Sequence, residues 1–67
     1  MRRRNFIFNG VPVCVEHSGG TFHLKIGNGP WTMLQQCLDS TSLRQSFKDA
    51  VLNACNEMEE EAARSGG

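Results

Sequence analysis

The sequence has no tyrosine, one tryptophan and two prolines in 67 residues. It contains no run of about 18 apolar residues, the least that a membrane-spanning helix requires, so no contact with a membrane is expected. It has no excess of either charge: seven basic side chains balance seven acidic ones. Without a basic excess, indiscriminate nucleic-acid binding is not implied. Its three cysteines, Cys14, Cys37 and Cys55, are odd in number and widely spaced. A disulfide framework is therefore not expected, and the three read as small buried hydrophobes.

Length excludes more. A domain of about 60 residues buries only about 60 % of the surface of its unfolded chain, which leaves no room for a second core or a deep catalytic cleft. Met1-Arg2-Arg3-Arg4 resembles the basic start of a secretion signal, but Asn5-Phe6-Ile7-Phe8 is followed at once by Asn9-Gly10. An apolar region of about 7–15 residues is missing, so the expected location is the cytoplasm.

What is present is well patterned. Asn9-Gly10 between apolar flanks is a strong hairpin signal, because a type I′ turn needs positive φ at both central residues. It sets Phe8 opposite Val11 and Phe6 opposite Val13. Gly19-Gly20 offers a second such turn, setting Ser18 opposite Thr21, His17 opposite Phe22, Val15 opposite Leu24 and Val13 opposite Ile26. Side chains alternate faces along a strand, so the two turns check each other. One face collects Phe6, Phe8, Val11, Val13, Val15, Phe22, Leu24 and Ile26. The other collects Asn5, Ile7, Pro12, Cys14, Glu16, His23 and Lys25, and is polar except for Ile7 and Pro12. Pro12 has no N–H to donate, but on this count its nitrogen faces a ladder that has already ended.

Asn28-Gly29-Pro30 reads as a loop and helix entry, with Trp31, Leu34, Cys37 and Leu38 following at helical spacing. Ser42-x-x-Gln45 fits a capping box, with Ser40 and Thr41 as rival caps. Leu43, Phe47, Ala50, Val51, Ala54 and Met58 then recur at the 3.6-residue period. Leu52 and Cys55 fall beside that stripe, where the short helix or a second copy of the chain could meet them. The expected fold is α+β: a three-stranded antiparallel meander packed against one long C-terminal helix, with a short connecting helix. A basic arm (residues 1–4) precedes a single domain (5–64), and a flexible tail (65–67) ends the chain.

Each candidate chemistry meets an objection. Cys14, Glu16, His23 and Lys25 share a sheet face, and a Cys–His–carboxylate set can activate a thiol. A flat solvated face gives no oxyanion hole, so no enzyme is expected. Zinc would draw on Cys14, His17, His23, Cys37 and Cys55, but no paired spacing exists and the two histidines fall on opposite faces. Gly27-Asn28-Gly29 lacks the remaining residues of a phosphate loop. No cofactor is expected.

Two binding classes remain. Open sheet edges, Ile7 on the polar face and Trp31 near a loop favour a non-enzymatic protein-binding module. Such a module would be a small regulator or inhibitor docking on a larger protein through Phe6, Ile7, Phe8, Trp31 and Leu52, and a homodimer is a natural form for so small a core. The alternative is a DNA-binding module that lays its sheet in a groove, using Arg2, Arg3, Arg4 and Lys25. Against it stand Glu57, Glu59, Glu60 and Glu61, and the expected lack of aromatic platforms on the outer face. The two ends carry opposite charge, which offers pairing within the chain, head-to-tail association or solvated termini.

Overall fold

A computed structural model describes residues 1–65. The chain runs β1 (Arg2–Phe8), β2 (Val11–Ser18), β3 (Thr21–Ile26), β4 (Trp31–Met33), α1 (Leu34–Asp39) and α2 (Gln45–Ser65). The strands form one antiparallel sheet in the order β1-β2-β3-β4. The fold is α+β, with four strands where the sequence pattern predicts three.

Both hairpins have the predicted register. Phe8 lies opposite Val11 and Phe6 opposite Val13, while Val15 meets Leu24 and His17 meets Phe22. Asn9 and Gly10 have φ of 50° and 80°, the positive pair that a type I′ turn demands. Gly19 and Gly20 repeat this with 59° and 79°. Gly27 donates its N–H to the Pro12 carbonyl at 2.7 Å. Pro12 accepts at this position but has no N–H to return a bond to Gly27, so the second ladder closes there on a single hydrogen bond.

The fourth strand replaces the expected start of the short helix. Gly27 is left-handed at φ 56°, and the Gly29 N–H donates to the Ile26 carbonyl at 2.9 Å. This turn sends the chain back along β3, pairing Trp31 with Lys25, Thr32 with Leu24 and Met33 with His23. The helix starts only at Leu34, where the Met33 N–H donates to the Gln36 side chain at 2.9 Å. The sheet also begins earlier than expected. Arg2, Arg3 and Arg4 are strand residues, so the region expected as an arm is, apart from Met1, part of β1. The expected tail divides: Ser65 belongs to α2, and Gly66 and Gly67 lie outside the described residues.

The capping box expected at Ser42 and Gln45 does not form. Gln45 is the first residue of α2, and its side chain donates to Asp49 at 3.0 Å. The Ser42 N–H instead donates to the Ser40 hydroxyl at 3.3 Å.

Packing follows the two periodicities. Val13, Val15 and Leu24 from the sheet, with Phe47, Val51, Ala54, Cys55 and Met58 from α2 and Cys37 from α1, form the buried core. Phe6, Phe8, Phe22, Ile26, Leu34 and Leu43 pack around it. Phe8 and Phe47 meet edge to face, with ring centroids 5.4 Å apart, a geometry the ring quadrupoles favour. Val11 alone of the predicted inner set stays exposed, at the sheet's end. Cys55 is buried on the flank of α2 that faces α1. On the same flank Lys48 donates from Nζ to the Ser40 carbonyl at 2.6 Å, tying the two helices together.

Candidate interaction surface

The helices cover one face of the sheet, and the other is built from strand residues alone. Its side chains form four cross-strand rows, the last of them Ser18 and Thr21 beside the second turn. Ile7 and Pro12 make the first. Asn5, Cys14, Lys25 and Trp31 make the second, and Arg3, Glu16, His23 and Met33 the third. A shallow groove of about 620 Å³ lies over the first two rows, lined among others by Ile7, Pro12, Cys14, Lys25 and Trp31. Ile7 is 73 % exposed, Trp31 45 % and Met33 48 %. Large apolar side chains left in water on one face are unfavourable for an isolated chain and commonly mark a contact surface.

The predicted protein-binding residues separate into two groups. Ile7 and Trp31 share the groove, and Phe6 reaches its lining from the edge strand. Phe8 does not join them, because it points inward onto Phe47. Leu52 is half-buried on α2, in the layer behind the sheet. Met33 is an apolar residue of this face that sequence pattern alone did not reveal, since it depends on the fourth strand. The same strand puts Trp31 on the outer face, which therefore does hold an aromatic ring, beside Lys25.

The basic residues are placed differently from a free arm. Arg3 lies on the outer face and pairs with Glu16, its Nε donating at 2.8 Å. That hydrogen bond, with the attraction of the carboxylate, holds the Arg3 proton more tightly than usual. Arg4 points to the opposite face and bridges Glu57 at 2.5 Å and Glu61 at 2.6 Å. The opposite charges of the two ends thus pair within the chain. Extending the β1–β2 register by two residues beyond Asn5 and Cys14 would have placed Arg3 on Glu16 from sequence alone. Lys25 is half-buried in the groove.

Glu16 lies opposite His23 as predicted, but its carboxylate is engaged by Arg3. Cys37 and Cys55 are buried, and burial raises both thiol pKa values, that of Cys55 to about 11. Such thiols are poor nucleophiles near neutral pH. Among the described residues no three His, Cys, Asp or Glu side chains cluster as a metal site requires. Among them, too, no helix is long and apolar enough to cross a membrane.

No family model, curated protein or solved structure matches this chain.

Proposed function

We propose that the chain is a small non-enzymatic protein-binding module, a regulator or inhibitor that docks its uncovered sheet face on a larger protein. The observation that carries this reading is the exposure of Ile7 and Trp31 along one shallow groove. Apolar anchors flanked by polar groups are the usual composition of a contact surface, and tryptophan is among the residues most often dominating its energy. Arg3, Lys25 and Glu16 supply the polar rim. The test is capture of partners from the native host with the wild-type chain and with Trp31→Ser and Ile7→Glu. A partner held by the wild type and lost by both folded variants supports docking through this face. Equal retention by all three chains overturns it.

A second reading, binding of duplex DNA by the same face, draws support from Trp31 standing beside Lys25. It is weakened by the carboxylates that engage Arg3 and Arg4. A salt titration separates the two. DNA binding of this kind weakens steeply as salt rises, because bound counterions are released.

A further inference from the structure

We infer that β1 is a self-complementary edge, and that two copies of the chain join through it about a two-fold axis at Asn5. Residues along an antiparallel pair alternate between hydrogen-bonded and non-bonded positions. A two-residue turn closes on a bonded pair, so Phe8–Val11 is bonded, and with it Phe6–Val13, Arg4–Val15 and Arg2–His17. The N–H and C=O groups of Arg3, Asn5 and Ile7 therefore face away from β2, toward the open edge. The Gly27 to Pro12 bond agrees with this phase, since it turns the even residues of β2 toward β3.

The sheet's other edge is blunted. It is three residues long, and Pro30 before it offers no donor. β1 is seven residues long and unbroken by proline.

Charge then selects direction and register. β1 reads Arg-Arg-Arg-Asn-Phe-Ile-Phe, basic in one half and apolar in the other. A parallel, in-register partner would stack arginine on arginine. An antiparallel partner centred on Asn5 sets Arg2 against Phe8, Arg3 against Ile7 and Arg4 against Phe6 of the second copy. Arginine stems cover apolar surface well while the guanidinium groups of Arg3 and Arg4 stay on their carboxylates. Centring on Arg3 or Arg4 opposes like charges, and centring on Phe6 or Ile7 shortens the overlap. The Asn5 register alone pairs all seven residues and opposes no two arginines. It forms about six backbone hydrogen bonds between the copies.

The helices permit the arrangement. α2 lies over β1 and β2 and shows Glu57 and Glu61 toward the β1 edge, where Arg4 holds them. The axis brings the two α2 helices to about 10 Å, two strand spacings and an ordinary helix packing distance. The eight strands become one sheet, and the two outer faces become one continuous surface. This inference is argued from the backbone edge of β1 and does not need the docking reading, although Asn5 and Ile7 also line the groove.

Sedimentation of the purified chain, with cysteine cross-linking, tests it. The expected mass is twice the 7.4 kDa of the chain, reached as concentration rises. Asn5→Cys in a Cys14→Ser background should form an inter-chain disulfide under mild oxidation, since residues paired at the axis have Cα atoms about 5.5 Å apart. The Cys14→Ser change removes the neighbour with which the new thiol could bond within one chain. Ile7→Cys in that background should not cross-link, because its two copies lie about 14 Å apart along the strands. A chain that stays monomeric into the millimolar range overturns the inference, even where the edge accepts a strand of some other protein. So does cross-linking through Ile7→Cys in place of Asn5→Cys.

Discussion

Arg4 and Glu57 join the two ends of the chain, with the guanidinium on β1 and the carboxylate on the last turns of α2 lying 2.5 Å apart. Glu61, one helical turn on, takes the second guanidinium nitrogen at 2.6 Å. The contact fixes how the free end of a long helix lies along the edge strand. Its energy is modest, because both carboxylates are more than half exposed to water. A double-mutant cycle with Arg4→Met and Glu57→Gln should give a coupling of about 0.5–1 kcal/mol, falling as salt is added. Denaturant unfolding at low and high ionic strength measures it. A coupling unchanged by salt would mean that the two residues interact through packing rather than charge.

Stability resides in the layer between sheet and helix, not on the outer face. Leu24 is wholly buried in the core between the sheet and the helices, and Ile7 is mostly in water. Leu24→Ala should cost about 2–5 kcal/mol, the range for a large side chain removed from a packed core. For so small a domain that is enough to unfold much of the population. Ile7→Ala should change stability by no more than about 0.5 kcal/mol. Thermal melts of the two variants side by side give the comparison. A large loss from Ile7→Ala would show that the outer face is part of the fold's own packing.

The first turn can be tested through its backbone. Gly10 has φ of 80°, yet a methyl group there would meet nothing within 4 Å. Gly10→Ala should therefore destabilise by about 1–2 kcal/mol through backbone strain alone. Gly10→Asn should cost less, because asparagine tolerates the left-handed region. Equal losses from both variants in chemical denaturation would remove strain as the cause.

These expectations rest on elements that differed in how far the sequence revealed them. The hairpins were legible because Asn9-Gly10 and Gly19-Gly20 each restrict the backbone locally, and the alternation of Val13, Val15, Leu24 and Ile26 leaves one register. β4 was not legible. Trp31, Leu34, Cys37 and Leu38 are spaced as a helix face, and three residues are too few for alternation to show. What decides the matter is tertiary: a turn at Gly27 and Gly29 lays Trp31, Thr32 and Met33 against a strand whose edge would otherwise be open. Arg2, Arg3 and Arg4 misled for a different reason. A charge run usually marks a solvated arm, and only partners distant in sequence, Glu16 and the α2 carboxylates, hold two of these arginines in place. Ile7 could be singled out beforehand because it broke the polar alternation. Its neighbour in the groove, Trp31, could be placed there only once β4 was known.

The buried thiols give a pH dependence whose sign follows from their surroundings. Burial disfavours the Cys55 thiolate, with Glu59 and Cys37 adding to the effect, and lifts the pKa from the ordinary 9.0 to about 11. The folded chain thus keeps a proton that the unfolded chain loses. Stability from this source is complete below pH 9, declines as the unfolded thiol ionises, and is lost as pH rises through about 11. Cys37 shifts in the same direction through its own burial, opposed by Lys48. The rise from 9.0 to about 11 corresponds to about 2–3 kcal/mol for Cys55. The informative quantity is the difference between the wild type and Cys55→Ala. Urea unfolding at pH 8, 9, 10 and 11 should show the wild type losing stability faster than the variant, by about 1 kcal/mol per pH unit above 9. Parallel slopes for the two chains would mean that the Cys55 thiol ionises as readily in the folded chain as in the unfolded one, which a sealed core does not allow.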